Sequence, residues 1–501
     1  MRSKKALYNS MASLLLEIVS IICGFILPRV ILSAFGSTYN GLTTSITQFL
    51  SVVTLLRAGV GGVTRAALYK PLAENDIDKI SAIVNATKNF MRKIAWIFAG
   101  GLVVFAFVYP MLVSESFEYV FTCTLVLIMG IATFLQYYFA ITYQMLMIAD
   151  QRQYVTAVIQ SFTMVLNLIV FVILVRLGGG IHVVKLGGAA VYCLNPLLTV
   201  IYIKRKYKLK KDVVPDYTAI SQRWDALTHQ VAAYVQENTD VMVLTAFSTI
   251  TEVSVYSVYY LVANGVKKLL ATITVGIEAA FGNMLALDDY SGLRRNMIRV
   301  EYLLFSISTI AYSCLFILVV PFVSVYTAGV TDANYFRPVF ALLLAASQFV
   351  SCIRTPYQNV VDAAGHFKQT RNSAIIEAVL NITISIFVVI RFGLIGVVIG
   401  TLLSTLYRTI YLVIYASKNI LHRTCGYFLK RIACSIFEIG AIYVLTSVVV
   451  NENVSGYVSW FLYAIQVAVI SIAVVLVSSL IFDRRDFLDC IKKVLSILRR
   501  R

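Results

Sequence analysis

Two arginines lie within an apolar stretch that is long enough to cross a bilayer. The sequence from 51 to 76 reads SVVTLLRAGVGGVTRAALYKPLAEND, and it places Arg57 and Arg65 in an apolar run from about 42 to 69. An arginine at bilayer mid-depth costs roughly 3 kcal/mol, so such residues face protein or a watery cavity. Helical spacing predicts one face that carries Thr47, Ser51, Thr54, Arg57, Gly61 and Arg65. This face is suited to an anionic partner.

A second apolar span, 253 to 285, also carries cations near its middle. Lys267 and Lys268 lie there, and a polar stripe at spacings of three and four contains Tyr260, Asn264, Lys267, Ala271, Thr274 and Glu278. If the two spans correspond, they would line one central cleft with positive charge. Arg57, Arg65, Lys267 and Lys268 are therefore the candidate substrate-binding cations.

Carboxylates in the apolar segments allow a simpler interpretation of the same cations. Glu17, Glu237, Asp240 and Glu278 could contact sugar or ions, or they could form buried ion pairs that fix helix register, such as Glu17 with Arg57 or Asp240 with Lys267. Three more charges, Arg354, Glu377 and Arg408, lie in predicted membrane segments. The sequence leaves open whether these three line a cleft or pair with one another.

The composition predicts a polytopic membrane protein. The chain has 501 residues, of which 59% are hydrophobic and 14% charged. The expected helices lie at roughly 7–28, 42–69, 94–113, 118–148, 154–176, 183–203, 225–247, 253–285, 300–327, 335–361, 372–390, 395–417, 428–450 and 457–481. They make about fourteen transmembrane helices in an all-α fold.

The net charge of +18 follows the positive-inside rule rather than indicating nucleic acid as a partner. Most Lys and Arg fall in segments that become cytoplasmic when both termini are placed in the cytoplasm. The basic run at 204–211, KRKYKLKK, and the tail ending in Arg499, Arg500 and Arg501 are predicted topology determinants that contact anionic membrane lipids.

The chain repeats itself once. A shift of 214 pairs Tyr143-Gln144 with Tyr357-Gln358, and a shift of 213 pairs LAEND at 72–76 with LALDD at 285–289. Six helices form each copy, so both copies have the same orientation and are expected to be related by a pseudo-twofold axis along the membrane normal. The predicted organisation is an N-lobe at 1–203, a basic cytoplasmic linker at 204–224, a C-lobe at 225–417, helices 13 and 14 at 418–481, and a basic cytoplasmic tail at 482–501.

Signatures of catalysis and of metal binding are absent from the sequence. There is no phosphate-binding glycine loop, no HExxH and no nucleophile elbow, and the glycines of GVGG at 59–62 suit close helix packing. The eight cysteines form no CxxC pair, and the four histidines are scattered. We therefore predict no catalytic residues, no metal ligands, no cofactor and no enzymatic activity.

Several of these features together resemble a known family. The motif NGL at 40–42, the segment ALYKPLAEND at 67–76, the duplication and the extra terminal helix pair resemble the Wzx-type polysaccharide flippases of the multidrug/oligosaccharidyl-lipid/polysaccharide (MOP) exporter superfamily. The resemblance implies transfer of an undecaprenyl-pyrophosphate-linked oligosaccharide across the bacterial cytoplasmic membrane by alternating access. It also implies that Arg29, one residue past Pro28 near the predicted outer end of helix 1, is a cation at the mouth of the cleft. Tyr260 and Asn264 would contact sugar.

The resemblance leaves partners and competing functions open. Other glycan-assembly proteins are candidate partners, and coupling to sodium or to protons is undecided. A multidrug and toxin extruder is the alternative transporter, and its cleft should be dominated by carboxylates. A polysaccharide polymerase or ligase would carry a substantial outer loop, which this chain lacks, and a scaffold within an assembly complex would leave the polar stripes unexplained.

Overall fold

The computed structural model describes residues 2–114, 116–210, 212–220, 234, 238–274, 277–450 and 454–498. Within these ranges, the side chains of 2–4, 6, 53–59, 220, 273, 279 and 493–498 are not described. Described residues form helices and connecting turns, without strands. The all-α fold predicted from the sequence is confirmed.

The helices of the first half follow one another closely. They are α1 (Arg2–Phe35), α2 (Ser37–Leu50), α3 (Val53–Glu74), α4 (Ile77–Leu112), α5 (Tyr119–Leu135), a π-helical turn (Gln136–Ala140), α6 (Ile141–Ala149), α7 (Gln153–Arg176), α8 (Ile181–Tyr192), α9 (Leu194–Lys206) and α10 (238–247). A short 3-10 helix, Thr218–Ile220, lies in the linker.

The helices of the second half include the longest of the described chain. They are α11 (Ile250–Ile273), α12 (Ile277–Ala286), α13 (Tyr290–Tyr326), α14 (Pro338–Ala363), α15 (Phe367–Phe392), α16 (Leu394–Asn419), α17 (Gly426–Val449), α18 (Tyr457–Phe482) and α19 (Arg484–Leu498). The tail after α18, predicted only as a basic segment, is therefore helical as far as it is described.

Eleven helical segments of the described chain are long and apolar enough to cross a membrane. The three further spans expected from the sequence are those at 42–69, 225–247 and 253–285. The first begins at Ser37 and is divided at Ser51 and Val52, and the third is divided between Ile273 and Ile277. The second is described only at 234 and from 238 onward. The layout of exactly fourteen helices stays a prediction.

Helix starts differ most from the predictions on the side assigned to the cytoplasm. The helix expected at 94–113 begins at Ile77, and the one expected at 300–327 begins at Tyr290. Charged residues such as Lys88 and Arg92 interrupt the apolar run there, yet lysine and arginine are good helix formers. Both helices are therefore longer than a bilayer requires.

Helix boundaries recur at a constant offset along the chain. The first residues of α2 and α11, Ser37 and Ile250, are 213 apart, and so are those of α4 and α13, Ile77 and Tyr290. The offset between the starts of α7 and α15 is 214, from Gln153 to Phe367. This regularity is the pattern expected of a duplicated unit.

The turns recur at the same offset as the helices. Asn75 and Asp288 both adopt a left-handed backbone conformation, with φ of 56° and 53°. The residue after each one caps the following helix: Asp76 accepts a hydrogen bond from the Lys79 amide (3.0 Å), and Asp289 accepts one from the Gly292 amide (2.8 Å). These bonds lower the pKa of both aspartates. The LAEND and LALDD motifs are thus turn and capping signals.

The chain forms two compact units, Met1–Ser254 and Val255–Arg501. In the first, the linker runs along α4: the Lys210 ammonium lies 2.7 Å from Asp78, and the Lys210 amide donates to Ser81 Oγ (3.0 Å). In the second, α12, α13, α14 and α16 bury one apolar core that includes Phe281, Phe305 and Tyr357. The lobe boundaries drawn from the sequence stay a prediction.

Candidate functional site

The hairpin of α3 and α4 positions cations in the first unit. The hydroxyls of Thr64 and Thr87 lie 3.3 Å apart across this hairpin, and both residues are fully buried. Arg65 and Lys88 each follow one of these threonines, so they lie at the same level of the hairpin. Arg92 lies one helical turn further along α4. Three cations are therefore grouped within about two turns.

Aromatic rings hold two of these three cations in place. The Arg92 guanidinium lies 4.8 Å from the centre of the Tyr138 ring, and the Lys88 ammonium lies 5.9 Å from that of Tyr143. Arg65 is half-buried and makes no ion pair with any described residue. Arg65 therefore stays a candidate for binding an anion.

Arg57 lies in α3, but its side chain is outside the described residues. Its proposed role and its pairing with Glu17 stay predictions. Gly61 was expected to leave room beside the arginines. A Cβ at Gly61 would lie 3.6 Å from the Met145 methyl, an ordinary contact, whereas a Cβ at Gly62 would meet nothing within 4 Å.

A row of polar contacts joins α2 to the segment 234–254. The bonded pairs are Asn40 with Ser254 (2.8 Å), Ser45 with Thr245 (2.7 Å), Gln48 with Asn238, and Ser51 with Tyr234 (2.7 Å). Close packing accompanies these bonds, since a Cβ at Gly41 would lie 1.9 Å from the Ile250 carbonyl oxygen. Sequence reasoning noted NGL at 40–42 but did not find this contact.

In the second unit, Lys267 lies on α11 and is half-buried, while Lys268 is exposed. Lys267 acts electrostatically on the Cys352 thiol of α14, and Cys352 accepts a hydrogen bond from Ser308 (3.1 Å). One and two turns before Lys267, Asn264 and Tyr260 are also half-buried. The Tyr260 ring stacks on Tyr256 with centroids 5.4 Å apart.

Glu278 does not continue the polar stripe as one helix. α11 ends at Ile273, and Glu278 lies exposed in the first turn of α12. A uniform helical spacing from Tyr260 to Glu278 is therefore wrong, because the helix is interrupted between them. The part of the stripe within α11 retains the predicted spacing.

Arg354, Glu377 and Arg408, whose role the sequence left open, form an ion-pair cluster in the second unit. Glu377 lies 2.5 Å from the Arg354 guanidinium and 3.8 Å from Arg408 Nε, and it is nearly fully buried. Arg408 also donates to the Thr370 carbonyl (2.9 Å) and to Ser373 Oγ. These contacts assign the three charges to structural pairing among α14, α15 and α16.

The remaining candidates lie apart from the cation group of the hairpin. α1 continues beyond Pro28 to Phe35, so Arg29 lies within the helix and is half-buried rather than near its end. Glu17, also on α1, is half-buried and makes polar or electrostatic contacts. Asp240 is buried in α10 and also has a partner, whereas Glu237 is outside the described residues. A pair between Asp240 and Lys267 stays a prediction.

A charge cluster around Asp150 was not predicted from the sequence. Asp150, between α6 and α7, lies 3.1 Å from the Lys5 ammonium and 2.5 Å from Arg152 Nε, and it accepts a hydrogen bond from the Tyr207 hydroxyl (2.5 Å). Burial disfavours the Asp150 carboxylate, but the bonds from Tyr207, Arg152 and Lys5 outweigh it and lower the pKa of Asp150. Three separate chain segments meet at this one carboxylate.

A second group of buried ion pairs, around Glu301 and Arg431, was also not predicted from the sequence. Glu301 is fully buried and lies 2.5 Å from the Arg423 guanidinium, and the Tyr357 hydroxyl also donates to it. Arg431 and Asp483 form a fully buried pair at 2.5 Å. The helical spacing of Arg431, Ser435 and Glu438 was the available signal in the sequence. Described residues contain no group of His, Cys, Asp and Glu that could hold a metal ion.

Comparison with solved structures shows the fold to which these helices belong. A structure described as the lipid II flippase MurJ in an inward closed conformation matches with a TM-score of 0.68 and 15% identity, over 95% of this chain and 99% of that one. An inward-facing multidrug resistance MATE family transporter of the MOP superfamily matches with a TM-score of 0.59 and 12% identity, over 80% and 95%. The chain has the fold of MOP-superfamily transporters.

Further matches have the same fold. A MATE transporter of Vibrio cholerae gives a TM-score of 0.53 at 14% identity and covers 85% of this chain and 99% of its own. No family model and no curated protein matches the sequence. The neighbours are transporters or flippases, and the multi-pass membrane character predicted from the sequence is confirmed.

Proposed function

We propose that this chain is a flippase that moves undecaprenyl-pyrophosphate-linked oligosaccharides across the bacterial cytoplasmic membrane for cell-surface polysaccharide biosynthesis. The observation that carries the proposal is the cation group of Arg65, Lys88 and Arg92 on the α3–α4 hairpin. Arg65 in this group has no carboxylate partner among the described residues. The fold supports the proposal, because a lipid II flippase matches nearly the whole chain.

The chemistry of the cation group fits a diphosphate headgroup. Arginine presents planar donors that match phosphate oxygens in pairs, while lysine acts as a point charge. A sugar diphosphate is too polar to cross hydrocarbon unaided, so fixed cations must replace its hydration. The prenyl chain needs no such site, since it remains soluble in lipid throughout the transfer.

The position of the cations suits entry from the inner leaflet. The strongly apolar part of α4 begins near Ile94, so Lys88 and Arg92 lie just on the cytoplasmic side of it. Arg57 lies eight residues before Arg65 on α3, about 12 Å deeper along a helix. An anionic headgroup could therefore pass from Lys88 and Arg65 toward Arg57.

The contact of α2 with 234–254 supplies the closure that alternating access requires. With both termini in the cytoplasm, α2 begins on the outer side of the membrane. Asn40 and Ser254 are joined directly, and Gly41 allows the Ile250 backbone to approach closely. We infer that these contacts close the outer end in this conformation and separate when the headgroup is released.

The competing transporter is a multidrug and toxin extruder, which would need accessible carboxylates for organic cations. Among the buried glutamates of the second unit, Glu438 accepts a hydrogen bond from a serine hydroxyl, whereas Glu301 and Glu377 are each bound to arginine. The negative charge of Glu301 and Glu377 is therefore compensated within the protein. The pattern favours an anionic substrate.

Deletion of the gene tests the proposed function. We expect complete undecaprenyl-pyrophosphate oligosaccharides to accumulate in the membrane, measured by mass spectrometry, while surface polysaccharide falls. The retained glycan would identify the substrate, and glycan-assembly proteins would be the partners that supply and consume it. Unchanged lipid intermediates together with greater sensitivity to cationic dyes would contradict the proposal and favour the extruder.

A further inference from the structure

A row of buried polar side chains runs along the contact of α13, α17 and α18. Each member is at most 8% exposed: Ser306, Thr309 and Ser313 on α13, Arg431, Ser435 and Glu438 on α17, and Ser471, Ser478 and Ser479 on α18, with Asp483 at its end. The spacing on α17 is four and then three residues, so one face of that helix is polar. We call this row the polar seam.

Three separate sets of hydrogen bonds lie along the polar seam. Asp483 follows α18 and binds the half-exposed Lys430 (2.8 Å) as well as the buried Arg431 (2.5 Å). Arg431 donates in turn to Ser306 Oγ (3.1 Å). Further along, Thr309 donates to Ser435 Oγ (2.9 Å). The seam therefore reaches from the protein surface into the helix bundle.

Glu438 belongs to the third set, and of the three seam residues on α17 it lies furthest along the helix. It is fully buried, and it is twelve residues into α17, which is about 18 Å along the helix axis. The Ser478 hydroxyl donates to Glu438 Oε1 (2.7 Å), while Oε2 has no hydrogen-bond partner among the described residues. One hydroxyl is too little to hold a charged carboxylate at this depth.

The charged groups around Glu438 do not neutralise it. Arg431 acts on it from its own helix and Asp483 from the end of α18. The Cys434 thiol also lies on α17, and α13 contributes the hydroxyls of Ser306 and Thr309 to the seam. Arg431 is two turns away and is already bound to Asp483. The stable form of Glu438 in this conformation is therefore the neutral acid, with its proton on the carboxyl group.

We propose that Glu438 is a proton-binding site that exchanges with the cytoplasm along the polar seam and couples proton movement to transport. The carboxylate takes up one proton to form the acid, and the proton returns to water near Asp483 and Lys430 when the bundle opens. α13 links this site to the core of the second unit, since Phe305 lies in that core beside Ser306. The inference rests on the proposed transport function and adds its driving ion.

A purely structural role for Glu438 would require only a hydrogen-bond acceptor for Ser478. Polar side chains between membrane helices commonly serve as packing contacts worth roughly 1 kcal/mol. Glutamine would preserve that role, because its amide oxygen accepts from Ser478 in the same way. If Glu438→Gln flips the probe like the wild-type protein and responds equally to a pH gradient, the proposal is overturned.

Chemical labelling tests whether Glu438 carries a proton. Dicyclohexylcarbodiimide, an apolar carbodiimide, reacts with protonated carboxyl groups in apolar surroundings, and the adduct is located by peptide mass mapping of the full chain in detergent. We expect an adduct at Glu438 that decreases as the pH rises. Glu377 is the internal control, because it is also buried but lies 2.5 Å from Arg354 and 3.8 Å from Arg408. Absence of the Glu438 adduct, or equal labelling of Glu377, would overturn the proposal.

Transport in proteoliposomes tests the coupling. The probe is undecaprenyl-pyrophosphate oligosaccharide extracted from a strain that lacks the gene, and flipping is measured with and without a pH gradient. We expect the gradient to stimulate the wild-type protein but not Glu438→Gln, which should still flip the probe without a gradient. Equal stimulation of both proteins would overturn the coupling. If the wild-type protein fails to flip the probe, the proposed function is contradicted, while the labelling result still decides the proton site.

Discussion

Contacts in the folded chain separate structural arginines from arginines that are available to a substrate. From the sequence, Arg354 and Arg408 could not be distinguished from Arg65, because all three lie in apolar segments. Both bind Glu377, whereas Arg65 makes no ion pair with a described residue. A helical sequence gives the spacing of charges along one helix, but their pairing depends on which helices become neighbours.

The pair of Glu301 and Arg423 tests the structural role of buried charge. We expect Arg423→Leu to destabilise the protein by about 3–5 kcal/mol, because it leaves the fully buried Glu301 without its cation. Adding Glu301→Leu to Arg423→Leu should recover much of the lost stability. Thermal unfolding in detergent measures both effects, with Lys70→Leu on the exposed face of α3 as control. Equal stability of Arg423→Leu and wild type would contradict the pairing.

The Asp150 cluster predicts a dependence of stability on pH. The pKa of Asp150 is lowered in the folded protein, so its contribution is present above the unfolded pKa of about 3.9 and is lost as the pH falls through the folded value. Asp150→Asn should lower the free energy of unfolding by about 1–3 kcal/mol near neutral pH, because it weakens the bonds from Lys5, Arg152 and Tyr207.

Thermal unfolding of wild type and Asp150→Asn across pH measures this contribution. The difference between the two proteins should stay constant near neutral pH and shrink as the medium becomes acidic. Asp212→Asn is the control, because that carboxylate lies in the same linker as Tyr207 and is exposed. A difference that grows on acidification would contradict the assignment.

At the scale of helices, the apolar runs of the sequence predicted the membrane-spanning segments well. They predicted poorly where helices begin on the side assigned to the cytoplasm. The ends of α17 and α18 lie within two residues of the predicted helices, because apolar residues continue to both ends. The first 17 residues of α4 lie outside the predicted helix at 94–113, since their charges interrupt the apolar run. Helices that extend beyond the membrane follow water-soluble rules, in which Lys and Arg are compatible with helix.

The contact of α2 with Ile250 predicts a steric requirement at one glycine. A methyl group at Gly41 would collide with the Ile250 carbonyl, so Gly41→Ala should open this contact. In the variant Asn40→Cys with Ser254→Cys, a short bifunctional thiol reagent should join the two residues and stop transport. Mass spectrometry of the 40–254 cross-linked peptide measures the yield.

Gly62 supplies the matched control for this experiment. A methyl group there meets nothing within 4 Å, so Gly62→Ala should leave the 40–254 cross-link unchanged, whereas Gly41→Ala should lower its yield. If cross-linked protein transports at the rate of the uncross-linked protein, the outer contact is not a gate.

At the scale of the whole chain, repetition was readable from the sequence and from the helix boundaries alike. Pairs of short motifs indicated offsets of 213 and 214, and the starts of α4 and α13 and of α7 and α15 have the same offsets. The identity of the substrate could not be predicted in this way, because it depends on side chains that several helices bring together.

The basic segments predict that the protein retains anionic lipid. In α19, Asp489 binds Arg299 (2.6 Å) and Asp486 binds Tyr427 (2.8 Å), while Arg484, Arg485 and Lys492 are exposed. Replacing these three cations with glutamine should reduce the anionic lipid that copurifies, as measured by native mass spectrometry, since each contributes about 1 kcal/mol near the membrane surface. Lys79→Gln, which removes a cation bound to Asp76, is the control. Unchanged lipid content would contradict the prediction.

Reconstituted transport tests most directly whether fixed cations carry an anionic headgroup. Proteoliposomes would contain undecaprenyl-pyrophosphate oligosaccharide from the deletion strain, and periodate, which does not enter the vesicles, would report the sugars on the outer leaflet. We predict that Arg65→Glu slows flipping about tenfold or more, because it removes a charge-assisted contact worth about 1.5–3 kcal/mol. Lys70→Glu, an equal charge change on the exposed side of α3, should flip at the wild-type rate. Equal rates for Arg65→Glu and Lys70→Glu would contradict the account.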